Sequence, residues 1–87
     1  MEVFMVERSL KGIPMDQLAA AQKRAISTAA EMSAEGTPIR YLRTTFVPES
    51  GCCMCLFEGT SANDMEALNR KAGIPFDRVV GALDLTP

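Results

Sequence analysis

The sequence predicts an α+β domain in which two helices cover one face of a four-stranded antiparallel sheet. Strand-like and helix-like segments follow each other in the order β-α-β-β-α-β. The two middle strands are separated by only four residues, which is typical of a hairpin. Right-handed crossovers leave few other topologies for this order, and the result is the ferredoxin-like split βαβ arrangement. A chain of 87 residues fits one such domain over residues 1–87.

The first half of the chain predicts one strand and one helix. Residues 2–8 are short and rich in Val, Phe and Met, which favours a strand. Residues 15–35 carry apolar side chains at helical spacing, so one helix face should be buried. That face consists of Leu18, Ala21, Ala25, Ala29 and Met32. Gly36 and Pro38 then favour the end of the helix.

The second half begins with the predicted hairpin. Residues 39–47 contain Tyr, Thr, Phe and Val at strand frequency, and residues 52–58 form the next strand. The four residues between them, Pro-Glu-Ser-Gly, are typical of a turn. Such a loop places Val47 opposite Cys52.

A second helix and a last strand follow the hairpin. Either Ser61 or Asn63 is a suitable N-cap, because both side chains can accept a hydrogen bond from the first helical turn. Gly73 should end the helix. The last strand is expected over residues 78–85.

Composition excludes several classes of function. The net charge is −2 and there is no basic patch with interleaved aromatics, so we expect no nucleic-acid partner. No apolar run approaches the ~20 residues that span a bilayer, and the start of the chain does not resemble a signal peptide, so we expect a cytoplasmic protein without a membrane partner. Histidine is absent, which excludes Ser-His and Cys-His catalysis.

Hairpin pairing assigns side chains to the two faces of the sheet. Counting back from the turn sets Arg43 opposite Leu56 and Tyr41 opposite Glu58. The face under the helices should then carry small and apolar side chains, namely Leu42, Thr44, Phe46, Cys53, Cys55 and Phe57. On the first strand, Phe4 and Val6 suit the same face.

The other face of the sheet, which we call the open face, mixes apolar and charged residues. Met5, Met54 and Leu56 would leave an apolar patch in water, which favours a homodimer with the two open faces stacked into a dimeric α+β barrel. The polar residues enclosed there would be Glu7, Tyr41, Arg43 and Glu58. They predict either a small-molecule or metal pocket, in which a buried Glu acts as a base, or an ion-pair network that fixes the dimer.

All three cysteines lie in the strand over residues 52–58. Alternation points Cys53 and Cys55 to one face and Cys52 to the other, so a regular strand cannot aim all three at one ion. Three interpretations remain: small apolar core residues, a thiolate metal site, or a redox centre.

Four segments resemble a known family over nearly the whole chain. They are residues 4–13 (FMVERSLKGI), 39–48 (IRYLRTTFVP), 55–59 (CLFEG) and 72–75 (AGIP). The chain resembles a family of small ferredoxin-like domains of unknown function, whose described members include actinobacterial nickel-binding proteins. The resemblance implies a dimeric α+β barrel and nickel binding. Five residues fall in the shared motifs: Glu7, Tyr41, Arg43, Cys55 and Glu58.

Three functional hypotheses follow from the residues and the resemblance together, and the third of them is a purely structural or interaction role. The first is a non-enzymatic homodimer that binds nickel, another transition metal or a small ligand in the space between the sheets, with Cys55, Glu58 and Glu7 as metal ligands. The alternative is a small cofactor-independent enzyme resembling monooxygenases or isomerases of the dimeric α+β barrel type, with Glu7 or Glu58 as base and Arg43 stabilising an anion.

Overall fold

The computed structural model describes residues 1–87 and confirms the predicted order of elements. Its elements are β1 (Glu2–Ser9), α1 (Met15–Ala34), β2 (Ile39–Val47), β3 (Cys52–Gly59), α2 (Ala62–Ala72) and β4 (Arg78–Ala82). The strands form one antiparallel sheet in the order β2-β3-β1-β4. This is the predicted ferredoxin-like fold.

The hydrophobic core lies between one face of the sheet and both helices. The predicted stripe of α1 is confirmed, since Ala25, Ala29 and Met32 are buried. The fully buried centre consists of Phe57 on β3, Val6 on β1, and Met65 and Leu68 on α2. The alternation predicted for β1 and β3 therefore places the small, apolar face against the helices.

The ends of α2 follow the predicted capping chemistry. Of the two candidate N-caps, the structure uses Ser61, whose Oγ accepts a hydrogen bond from the backbone N–H of Asp64 at 3.2 Å. Gly73 ends the helix in the left-handed conformation at φ 69°, as predicted. Neither helix is at once long and apolar enough to cross a membrane.

The hairpin register is confirmed near the turn and differs further from it. Val47 pairs with Cys52 and Arg43 with Leu56, as predicted. A β-bulge between Tyr41 and Arg43 then adds one residue to β2, so Tyr41 pairs with Phe57 and Arg40 with Glu58. The predicted pairing of Tyr41 with Glu58 is therefore wrong.

The last strand is shorter than predicted and ends at Ala82. This strand, β4, pairs with β1. Because Ala82 is already opposite Val3, near the start of β1, little of β1 is left to pair with later residues. The chain instead turns across the open face. β2 and β4 are the two opposite edges of the sheet. Arg43 of β2 nevertheless forms an ion pair with Asp84, which follows β4, so the chain after Ala82 must cross the sheet.

Candidate functional site

Three of the four polar residues predicted for the open face are found there. Glu7 and Glu58 are half-buried on that face, and Arg43 is exposed beside Leu56. Tyr41 is not among them, because the bulge turns it towards the helices. Its ring meets Phe57 edge-on with 5.6 Å between ring centroids, and its hydroxyl accepts a hydrogen bond from Gln22 Nε2 at 2.8 Å.

Every carboxylate of the open face is paired with an arginine. Glu7 pairs with Arg78, and Asp84 pairs with Arg43. Glu58 forms an ion pair with Arg40 at 3.3 Å. Sequence reasoning missed these partners for different reasons. The pairing of Arg40 with Glu58 depends on the bulge, and that of Asp84 with Arg43 depends on the path of the chain after Ala82. Arg78 lies directly opposite Glu7 in the ladder between β1 and β4, whose register no short turn sets.

Glu7 and Glu58 do not meet within one chain. Glu7 lies opposite Met54, and Glu58 is four residues further along the same strand. Four residues of a strand span roughly 13 Å. The two carboxylates of one chain therefore cannot bind the same ion together.

The predicted metal ligands Cys55, Glu58 and Glu7 are not brought together. Cys55 faces the helices with 5% of its surface exposed, whereas the two glutamates lie on the open face. No group of three or more His, Cys, Asp or Glu side chains within the chain is placed to hold a metal ion. The alternation of a strand causes this separation, since residues at odd and even positions point to opposite faces.

A second group of polar side chains lies under α1. We call it the thiol cluster, and it consists of Arg8, Thr44, Cys53 and Cys55. Cys53 and Cys55 are buried and Cys52 is exposed, which confirms the predicted division of the thiols. Arg8 on β1 lies opposite Cys53 on β3 and is only 4% exposed. Thr44 Oγ1 lies 3.2 Å from Cys55 Sγ.

Sequence reasoning missed Arg8 as a core residue. The signal was present, because Phe4 and Val6 were assigned to the buried face and the same alternation reaches Arg8. An arginine is seldom fully buried unless it is paired, so its residue type alone predicts that Arg8 is exposed.

The two thiols of the cluster have different proton affinities. A hydrogen bond from Cys53, with help from the Arg8 charge and Thr44, lowers the pKa of Cys55 from 9.0 to about 6 despite its burial. The same hydrogen bond raises the pKa of Cys53, and burial and the Cys55 charge raise it further. The arrangement therefore favours the thiolate form at Cys55 and the thiol form at Cys53.

We expect the ultraviolet thiolate absorbance of the folded protein to titrate with a midpoint near pH 6. Since the folded pKa of Cys55 lies below its unfolded value, its contribution to the free energy of unfolding should grow from about pH 6 to about pH 9. Cys55→Ser should remove this midpoint and Cys52→Ser should keep it. A first midpoint near 9 in the unchanged protein would contradict the arrangement.

Comparisons with known proteins agree with this fold. Residues 4–81 match the family model described as nickel responsive protein SCO4226-like. The structure resembles the crystal structure of SCO4226 from Streptomyces coelicolor A3(2), with a TM-score of 0.78 and 26% sequence identity, over 98% of this chain and 99% of that one. No curated protein matches the chain. The family resemblance predicted from the four sequence segments is thereby confirmed, and this chain belongs to the SCO4226-like family of nickel responsive proteins.

Proposed function

We propose that this chain is a non-enzymatic binding protein that works as a homodimer and associates with nickel through carboxylates of both open faces. The observation that carries the proposal is the family description, nickel responsive, which covers residues 4–81. The alternative of a cofactor-independent oxygenase or isomerase has no support in either comparison.

A second copy of the chain supplies what one copy lacks. One chain holds no group of three potential ligands, but a two-fold axis through the open faces duplicates Glu7 and Glu58. The apolar residues of that face support the pairing. Met5, Met54 and Leu56 are only half-buried, and Leu83 and Leu85 beyond β4 are each 84% exposed.

The donor chemistry suits a divalent transition ion. Carboxylate oxygens bind nickel more tightly than manganese, iron or cobalt, following the usual order of divalent affinities. The arginine partners are no obstacle, because the side chains of Arg78 and Arg40 are 66% and 67% exposed. Ion pairs this open contribute about 1 kcal/mol or less, so a metal ion can replace them.

Replacing either glutamate with its neutral isostere tests the site. Because each change removes a charged ligand from both copies, Glu7→Gln and Glu58→Gln should each weaken nickel binding by about tenfold or more in calorimetric titration. Glu66→Gln is the matched control, since Glu66 lies on α2 in an ion pair with Arg70. Cys55→Ser should leave nickel binding unchanged. Full affinity in both glutamate variants, or its loss in Cys55→Ser, would refute this placement.

A further inference from the structure

The thiol cluster, which lies on the face of the sheet that the helices cover, contains a buried charge without a carboxylate partner. Arg8 forms no ion pair; its Nη1 donates to the carbonyl oxygen of Pro75 at 3.1 Å. Its Nη2 is buried and has no hydrogen-bond acceptor. A buried guanidinium needs a compensating anion. The groups beside it that can supply negative charge are the thiols of Cys53 and Cys55, which are 2% and 5% exposed.

The spacing of the two thiols suits an ion between them better than a disulfide. Cys53 and Cys55 point to the same face two residues apart, which sets their Cα atoms roughly 6.6 Å apart. A disulfide needs the Cβ atoms within about 4.5 Å, which a regular strand does not provide. On opposite sides of an ion, two metal–thiolate bonds, each about 2.3 Å long for zinc, would hold the sulfurs about 4.6 Å apart, which is within reach of these side chains.

Space and access are also suited to a single ion. A cavity of about 10 Å³ lies beside the thiols and Arg8, which is room for one water-sized atom and no larger ligand. A surface cleft of about 290 Å³ shares three lining residues with this cavity, Leu10, Ala21 and Ile74. The cavity beside the sulfurs therefore adjoins a cleft on the surface of the molecule.

We propose that Cys53 and Cys55 form a linear, two-coordinate site for a soft monovalent cation, Cu(I), with Arg8 as its charge-balancing neighbour. Thiolates are the ligands that Cu(I) prefers. Two thiolates around a monovalent ion leave one negative charge, which the guanidinium neutralises inside the core. A divalent ion would leave a buried positive charge and would lack further ligands. Thr44 orients the Cys55 sulfur from the neighbouring strand.

This site is independent of the proposed nickel site. It lies on the opposite face of the sheet, uses different residues and needs only one chain. Failure of one proposal therefore leaves the other standing.

Competition with a chromophoric Cu(I) chelator under anaerobic, reducing conditions tests the site. We expect one Cu(I) per chain and an affinity loss of about a hundredfold or more in Cys53→Ser and in Cys55→Ser, since each leaves a single sulfur ligand. Cys52→Ser is the matched control and should bind as the unchanged protein does. Retained affinity in Cys55→Ser, or its loss in Cys52→Ser, would overturn the proposal.

Two further measurements do not depend on whether the serine variants fold. X-ray absorption of the Cu(I)-loaded, unchanged protein should show two sulfur ligands and no third donor; three or four ligands would overturn the site. In Arg8→Met, the preference for Cu(I) over Zn(II) should fall by about tenfold or more, because the balancing charge is removed. An unchanged preference would refute the role of Arg8.

Discussion

Gly51→Ala should destabilise the protein by about 3 kcal/mol, which is a large share of the stability of a small domain. Gly51 is buried in the β2–β3 turn at φ +79°, where a side chain strains the backbone. A Cβ there would also lie 2.4 Å from the backbone N and Cα of Lys11. These contacts cannot relax easily, because the N–H of Leu10 donates to the Gly51 carbonyl at 2.8 Å and holds the turn against the loop after β1.

Gly12→Ala is the matched control for this prediction. Gly12 has a similar φ of +82°, but no atom lies within 4 Å of the position that a methyl group would take there. Its replacement should therefore cost only the conformational strain of about 1 kcal/mol. Denaturant unfolding of both variants measures the difference. Equal losses of unfolding free energy would show that the contact between the turn and Lys11 is not tight.

Leu56→Asp should convert the proposed homodimer into a monomer. Leu56 lies in the middle of the open face, opposite Met5 on β1 and Arg43 on β2. The two-fold axis would bury the new carboxylate in both copies, and the neighbouring Arg43 is already paired with Asp84. Each burial should cost about 2 kcal/mol or more, so the dissociation constant should rise about a thousandfold.

Sedimentation velocity distinguishes the outcomes for Leu56→Asp. Ile26→Asp is the control, because Ile26 is 44% exposed on α1, away from the open face. The Ile26→Asp variant should sediment as a dimer at the concentration where Leu56→Asp is monomeric. Dimers in both variants would place the interface elsewhere on the molecule.

Local patterns were sufficient to predict most of the fold. Element order follows from the period of apolar residues, and the turn at residues 48–51 fixes the register from Val47 back to Arg43. The same alternation correctly divided Cys52 from Cys53 and Cys55. These features depend on residues close together in the chain, where geometry leaves few choices.

The bulge in β2 has no sequence signature. Ile39 is 4% exposed and the Tyr41 ring packs on Phe57, so the added residue lets two apolar side chains enter the core. Burying these two side chains stabilises the fold by more than the disrupted pairing at the bulge destabilises it. That comparison depends on how the core packs, which the local sequence does not show. The bulge is the reason why Tyr41 is absent from the open face.

The remaining errors in the candidate site come from contacts between distant segments. The ion pair of Arg43 with Asp84 joins the two edges of the sheet, and no local pattern predicts that residues after Ala82 cross the open face. The predicted metal ligands Cys55, Glu58 and Glu7 do not come together within one chain for a simpler reason. Cys55 and Glu58 are three positions apart on one strand, and an odd spacing places them on opposite faces.

Native mass spectrometry of the protein with added nickel reports the number of chains and the bound metal together. We expect a particle of two 9.4 kDa chains that carries nickel. We expect Leu56→Asp to yield single chains without nickel, since one chain does not assemble the ligands. A single chain that binds nickel, or a dimer that binds none, would contradict the proposed function.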